Sequence, residues 1–355
     1  MNLMKKAVLP ILAVFALSAN AAKPQLDVEL SVSETFVDGG NVYATLKITN
    51  SGKGPKKLLK WYTNLDEQHI FKVSRDGQSV PYQGPHYKRP APTDADFLKL
   101  TPGQTLEKTF ELSNLYDMTQ TGSYSITYDA HSFHLFGNKG QAKKAERKGV
   151  EILESNTVSF FMKGLAKRGG NGGKPDGGDG GTGDCIDGTC FTGRCDNSQK
   201  SQIMSALAAA DTMANDSVSY LNGNIGQRYE SWFGTPTNSR VNTAKANFSA
   251  INDAIDNQDL VFDCKCKQSY FAYVYPAQPY KIFLCRAFWS ANETGTDSRA
   301  GTIIHELSHF NVVAGTDDVV YGQSGARNLA NSNPDQALNN ADSHEYFAEN
   351  TPNEN

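Results

Sequence analysis

Residues 297–312 read DSRAGTIIHELSHFNV, with apolar side chains at three- and four-residue spacing. This period predicts an amphipathic helix, because residues three and four apart lie on one helix face. Asp297 or Ser298 can cap its amino end. Four apolar residues mark the side that we expect to be buried: Ile303, Ile304, Leu307 and Phe310.

The same helix carries two histidines four residues apart, His305 and His309. Both imidazoles can direct a nitrogen to one ion at about 2.0–2.1 Å, and Glu306 can reach a metal-bound water without ligating the metal. This is the H-E-x-x-H arrangement, in which the histidines bind zinc and the glutamate is the general base of a metalloprotease. The alternative is a helix surface on which these three side chains are merely hydrogen-bonded or solvated.

A third metal ligand must come from beyond the helix. A metzincin would have glycine at 312 and histidine at 315, where this chain has Val312 and Gly315. Glu345 would serve in a thermolysin-type site. Closer carboxylates lie in GTDD at 315–318, where a possible glycine turn could bring one of them back to the metal. Two histidines, an aspartate and a water make an open catalytic zinc site.

H-E-x-x-H followed by GTDD and then YG resembles the aspzincins, the deuterolysin and peptidyl-Lys metalloendopeptidase family of secreted zinc endopeptidases. The resemblance covers about residues 195–350. It implies a zincin-type catalytic domain that holds one Zn²⁺, with Asp318 as the third ligand and Tyr321 as a donor to the oxyanion. Asp317 is then expected to be a turn residue or a neighbour of the metal ligands.

Two further carboxylates, Asp342 and Glu345, lie three apart in NNADSHEYFAEN, a probable helix. Side chains at this spacing share a face and would bind a substrate ammonium in a pocket. Aspzincins that cut on the amino side of lysine carry acidic residues at matching places, so the resemblance implies a lysine pocket. The alternative is a solvated helix face. His344 is expected at the surface.

All six cysteines lie in the C-terminal half, and an even count in an exported chain indicates disulfides. A thiolate zinc site is disfavoured because no Cys-x-x-Cys pair occurs. Sequence alone leaves the connectivity open. The resemblance implies that Cys195 pairs with Cys264 and Cys266 with Cys285, which leaves Cys185 and Cys190 to each other.

Composition divides the chain into two domains. Residues 169–183 contain nine glycines and no hydrophobic residue, which is typical of a flexible linker. Before it, alternating β-branched and aromatic runs predict an all-β, sandwich-like domain at 22–168. After it, helical periodicity predicts a mainly α (α+β) domain at 184–355, with strand-like stretches at 268–276 and 280–285.

The amino terminus has the features of a Sec-type signal peptide at residues 1–21: two lysines, an apolar run and an Ala-x-Ala site. A retained anchor is the alternative. Cleavage of this segment would give a secreted, extracellular protein, for which we expect no association with a membrane.

The two halves differ in charge. Residues 1–175 hold 23 Lys+Arg against 16 Asp+Glu, whereas residues 176–355 hold 11 against 22. Opposite net charges of +7 and −11 suit a pro-domain that docks onto its own enzyme as inhibitor or chaperone, although differences in surface charge for solubility would look the same. The acidic half has no basic stripe, so nucleic acid is not an expected partner.

Together these features predict a secreted zinc endopeptidase made as a proenzyme, which acts on proteins or peptides either as an exotoxin or in nutrient scavenging. Cutting before Lys167 or Lys174 would free it. The pro-domain has no cysteine for thiolate latency, and its His131 and His134 are expected on surface strands rather than at the zinc. An alternative from another class is an inactive relative that acts as a secreted binding protein.

Overall fold

The computed structural model describes residues 25–63, 69–132, 134–137, 151–163 and 184–355. The predicted leader and linker, with Lys167 and Lys174, lie outside these residues. Among the helices of the described segments, none combines the length and apolar character needed to cross a bilayer.

Where it is described, the N-terminal half consists of β-strands joined by loops and two short 3₁₀ turns, Lys60–Thr63 and Asp94–Asp96. The strands are β1 (Asp27–Val32), β2 (Phe36–Asp38), β3 (Tyr43–Thr49), β4 (Lys56–Leu59), β5 (Phe71–Arg75), β6 (Gln78–Ser79), β7 (His86–Lys88), β8 (Phe97–Leu100), β9 (Thr105–Glu111), β10 (Gly122–Ser132), β11 (Glu151–Glu154) and β12 (Val158–Lys163).

Two sheets form the body of this half, one in the order β1-β3-β9 and one in the order β2-β12-β10-β5-β6. Every second residue of β10 is buried, because side chains alternate between the two faces of a strand. Apolar residues of both sheets meet in one core, among them Leu46 and Ile126. The predicted β-rich domain is confirmed. One pair, β2 and β12, runs parallel rather than antiparallel.

The C-terminal half is largely helical. Its elements are β13 (Asp184–Ile186), β14 (Thr189–Thr192), α1 (Asn197–Asn222), α2 (Gln227–Phe233), α3 (Asn238–Asn257), β15 (Leu260–Asp263), β16 (Ala272–Val274), β17 (Lys281–Leu284), α4 (Arg286–Ser290), α5 (Arg299–His309), α6 (Gly322–Ser332), α7 (Pro334–Ala337) and α8 (Ala341–Glu349). The predicted helices and strand-like stretches are confirmed. Ser298 caps α5, and Thr237 caps α3.

A third sheet joins the two halves. Its order is β13-β14-β15-β17-β16-β7, so that its edge strand comes from the N-terminal half. β7 runs antiparallel to β16, with Lys88 opposite Ala272, Tyr87 opposite Tyr273 and His86 opposite Val274. This pairing brings a segment of the N-terminal half directly over α5.

Three disulfides hold the C-terminal half, with the pairing that the resemblance implies: Cys185–Cys190, Cys195–Cys264 and Cys266–Cys285. The second joins the segment before α1 to the end of β15, and the third joins the loop before β16 to the start of α4. No cysteine of the described segments is free to ligate a metal.

Candidate metal centre and substrate pocket

Helix α5 is buried along residues 300–309, so its polar side chains face other protein groups rather than solvent. Its amino end is held by a carboxylate of α8: Glu349 Oε1 accepts hydrogen bonds from the backbone and the hydroxyl of Ser298, both at 2.8 Å. Gly301 permits this approach, because a Cβ there would lie 2.2 Å from Glu349 Oε1. The start of α5 is therefore set by α8.

Three donor atoms converge beside this helix. His305 Nε2 lies 3.1 Å from His309 Nε2 and 3.2 Å from Asp318 Oδ1, and His309 Nε2 lies 3.5 Å from Asp318 Oδ1. Ligands of a tetrahedral zinc at about 2.0–2.1 Å lie about 3.3 Å from one another. All three residues are buried. Their spacing fits a single zinc ion.

The turn at 315–318 returns the aspartate to the helix. Gly315 has a φ of +60°, a conformation that glycine adopts without strain. The carbonyl of Thr316 accepts the Nδ1–H of His309 at 2.7 Å, which leaves Nε2 for the metal. Asp317 points to the neighbouring segment, where its Oδ2 accepts from the side-chain amide of Asn339 at 2.9 Å. Asp317 is thus a turn residue here.

Glu306 is fully buried, and within the described segments neither of its carboxylate oxygens has a hydrogen-bond partner. Burial raises its pKa to about 7, which suits a base that must both take and return a proton near neutral pH. Burial also opposes ionisation of Asp318, but His309 and His305 hold the pKa of that carboxyl well below its usual range.

Asp342 and Glu345 lie on the other side of His305. Asp342 Oδ1 is 3.0 Å and Glu345 Oε2 is 3.3 Å from His305 Nδ1. Both carboxylates are buried, so the alternative of a solvated helix face is wrong. Because Glu345 approaches the Nδ1 edge of the ring and not Nε2, the geometry favours Asp318 over Glu345 as the third ligand.

A lysine of the N-terminal half fills the pocket that these carboxylates form. Lys88 Nζ lies 2.7 Å from Glu345 Oε2, 3.1 Å from Asp297 Oδ1 and 3.5 Å from Asp342 Oδ1. Burial alone would lower the pKa of Lys88, but the three carboxylates raise it well above its usual value. The ammonium also lies 5.2 Å from the ring centre of Phe271.

Lys88 and Asp297 belong to this pocket, and the sequence alone did not predict a role there for either. Asp297 was considered only as a helix cap, whereas its carboxylate accepts from the hydroxyl of Tyr346 at 2.7 Å and faces the ammonium. The one sequence signal for Lys88 was its place in a short segment between Pro85 and Pro90.

Tyr321 lies at the same face of the site. Its hydroxyl donates to the backbone carbonyl of Tyr87 at 3.0 Å. Its ring packs edge-to-face against Trp61, with the ring centres 5.4 Å apart. The carbonyl that it contacts belongs to the residue immediately before Lys88. The Tyr321 hydroxyl therefore lies within hydrogen-bonding distance of the carbonyl oxygen of the residue that precedes the buried lysine.

His344 is not a surface residue, and that prediction was wrong. Its side chain is fully buried, because α8 is enclosed on all sides. The Nδ1–H donates to the carbonyl of Asn340, and Nε2 accepts from the side-chain amide of Asn247, both at 3.0 Å. Both ring nitrogens are thus used by a neutral imidazole.

The histidine that the N-terminal half brings to the centre is neither His131 nor His134. His131 contacts Asp129, and both histidines are partly buried rather than exposed. His86 of β7 instead lies beside the centre: its ring centre is 4.7 Å from that of His309, and its Nδ1 is 3.9 Å from Asp318 Oδ2.

Comparison with known proteins gives consistent matches. The sequence profile of the aspzincin family, described as lysine-specific metallo-endopeptidase, matches residues 221–349. An extracellular protease of Aeromonas hydrophila is 48% identical over 99% of this chain and 100% of its own. A peptidyl-Lys metalloendopeptidase of Armillaria mellea is 33% identical over 94% of both chains.

Among solved structures, a zinc peptidase from Grifola frondosa is similar at 42% identity, with a TM-score of 0.44. It matches 45% of this chain and 100% of its own. The full-length relatives extend the match through both halves of the chain. The protein is therefore a zinc metalloendopeptidase and belongs to the aspzincin family.

Proposed function

We propose that this metalloendopeptidase is secreted as a proenzyme and hydrolyses peptide bonds on the amino side of lysine. The observation that carries the proposal is the buried ammonium of Lys88, held by Glu345, Asp297 and Asp342 beside a histidine of the metal centre. A buried cluster of carboxylates is costly unless a cation compensates it. A substrate lysine provides that cation once Lys88 has left.

Catalysis divides among the residues of the site. His305, His309 and Asp318 would hold the zinc, which would supply a Lewis acid for the scissile carbonyl and would lower the pKa of the attacking water. Glu306 takes a proton from the attacking water and passes it to the leaving amine. The hydroxyl of Tyr321 donates to the carbonyl oxygen as negative charge develops there. No covalent intermediate with the protein is required.

The relatives support this specificity, because the Armillaria mellea protein is named a peptidyl-Lys metalloendopeptidase. The alternative of an inactive binding protein is disfavoured, because Glu306 and a complete set of possible ligands meet in one buried site. Secretion is supported by the predicted signal peptide at 1–21 and by the name of the Aeromonas hydrophila relative.

The proenzyme proposal rests on the way the N-terminal half covers the site. Its β7 adds to the edge of the third sheet, beside β16, and its Lys88 fills the acidic pocket. The opposite net charges of the two halves favour the same docking. We propose that the N-terminal half acts as an intramolecular inhibitor, and that a cut before Lys167 or Lys174 releases it.

Digestion of a denatured protein mixture tests the specificity. Mass spectrometry of the products should find lysine strongly enriched immediately after the cuts made by the matured enzyme. Cuts without this enrichment would contradict the lysine pocket.

The amino terminus of the processed protein tests maturation. If the enzyme releases itself, wild type is processed before Lys167 or Lys174 and the Glu306→Ala variant is not. An identical processed end in both would assign the cut to another protease.

A further inference from the structure

Strand β7 pairs with the edge of the third sheet as a bound peptide would. It pairs antiparallel with β16, the outermost strand that the C-terminal half contributes to this sheet, and the backbone N–H of Phe271 donates to the carbonyl of Lys88 at 3.0 Å. Addition of an extended segment to a sheet edge is a common mode of peptide recognition, because main-chain hydrogen bonds provide affinity while side-chain pockets provide specificity.

The peptide bond between Tyr87 and Lys88 is placed as we expect the scissile bond of a substrate to be placed. On its carboxyl side, the Lys88 ammonium fills the acidic pocket, with Glu345 Oε2 at 2.7 Å. On its amino side, the Tyr87 carbonyl accepts from the Tyr321 hydroxyl at 3.0 Å, and the Tyr87 N–H donates to Asp318 Oδ2 at 2.9 Å. This is the register of a substrate that is cleaved before lysine.

His86 sits where such a substrate would meet the metal. Residues two apart on a strand face the same side, so His86 and Lys88 both point towards α5. The imidazole of His86 is buried, and one of its nitrogens lies within 4.8 Å of ligand atoms of both His309 and Asp318. A catalytic zinc site has three protein ligands and one position for water, whereas a site with four protein ligands is closed.

We propose that His86 is the fourth protein ligand of the zinc in the proenzyme, so that His86–Lys88 binds in substrate register while the imidazole occupies the position of the catalytic water. The inference rests on the proposed function, since it uses the same metal ligands and lysine pocket. It explains how a segment placed like a substrate remains intact: without a water at the metal, Glu306 has no nucleophile to deprotonate.

X-ray absorption at the zinc edge tests the ligand. The full-length chain is prepared as Glu306→Gln, which keeps it whole, and is loaded with zinc alone. Three imidazoles per zinc are expected, falling to two when His86→Ala is added. His134→Ala, which removes another imidazole of the same half, should leave three. The Glu306→Gln chain decides the matter by itself even if the double variant folds poorly.

Two imidazoles per zinc in the Glu306→Gln chain would overturn the inference and leave the proposed function standing. A chain that holds no zinc would overturn both. These two results separate the closing ligand from the metal site on which it depends.

The register has a test of its own in the chain that retains Glu306. With His86→Ala, water should add across the Tyr87–Lys88 bond, its hydroxyl going to the Tyr87 carbonyl carbon and its hydrogen to the Lys88 nitrogen. Mass spectrometry should then find a fragment that begins at Lys88, absent from wild type and from His134→Ala. Absence of this fragment from a His86→Ala preparation that cuts added denatured protein would overturn the register.

Discussion

The carboxylate of Asp342 lies 3.0 Å from Nδ1 of His305 and 3.5 Å from the ammonium of Lys88, so one side chain borders both the proposed lysine pocket and the proposed metal centre. Its Oδ2 is fixed by the backbone N–H of Gly322 at 2.6 Å. A carboxylate on the outer nitrogen of a ligating histidine fixes the ring and raises its basicity. Under the proposed function, binding of a lysine ammonium to Asp342 would therefore change the basicity of His305.

Replacement of Asp342 separates this double role from a simple pocket role. Asp342→Asn should lower zinc affinity about 10–100-fold and also weaken the preference for lysine, because both contacts lose their charge. Asp297→Asn is the matched control, since the carboxylate of Asp297 also contacts the ammonium, at 3.1 Å. It should weaken the lysine preference alone. Chelator competition and cleavage profiles measure the two effects, and equal zinc affinities in both variants would contradict the shared role.

Adjacent aspartates offer a test of the third ligand. Asp318→Ala should abolish stoichiometric zinc binding, because it removes one of three ligands and leaves two buried imidazoles facing an open position. Asp317→Ala should retain zinc, since that carboxylate bonds to Asn339. Metal analysis of the purified matured proteins decides between them. Zinc kept by Asp318→Ala and lost from Glu345→Ala would instead indicate a thermolysin-type site.

Tyr321→Phe removes only the hydroxyl that contacts the Tyr87 carbonyl. In the matured enzyme, kcat should fall about 10²–10³-fold, as for other single donors to an oxyanion, with little change in KM. Zinc content should be unaffected. Steady-state kinetics on a lysine peptide give both constants. A rise in KM at constant kcat would assign Tyr321 to substrate binding.

His344 should make stability depend on pH below neutrality. Burial lowers its pKa from 6.5 to about 4. Between these two pH values, His344 is therefore protonated in the unfolded chain and neutral in the folded one. The stabilisation is complete above pH 6.5 and falls by about 3 kcal/mol as the pH drops to 4. Urea unfolding of the Glu306→Gln chain, with and without His344→Gln, measures it.

The two unfolding curves should approach each other as the pH falls, because the histidine loses its advantage over glutamine. A difference in the free energy of unfolding that stays constant from pH 6.5 to 4 would contradict the low pKa of His344. Omission of zinc from both samples keeps metal release out of the comparison.

Local periodicity was sufficient for the elements that carry the centre. The four-residue spacing of His305 and His309 predicts their shared face, because the helix period depends on neighbours in the chain. The glycine at 315 likewise indicates a turn, which its φ of +60° confirms. The resemblance to the aspzincins added the disulfide pairing, which no periodicity contains.

Burial was harder to predict. The spacing of Asp342 and Glu345 predicts a common face, yet the same pattern fits a solvated helix. His344 was expected outside because it lies between Asp342 and Glu345 and would point away from the face that they share. It lies inside, where its ring contacts those of Phe233 and Phe248. A helix that is buried all round carries no amphipathic signal for its interior side.

The sequence by itself thus determined helix α5 with its H-E-x-x-H motif and the β-rich and helical halves, because each depends on residues near one another in the chain. Only the tertiary structure placed Lys88 against Asp342, across 254 residues, and His86 beside His309. Such contacts arise when β7 joins the edge of a distant sheet. They depend on which distant surfaces pack against each other and exclude water, and the local sequence pattern contains no information about that pairing.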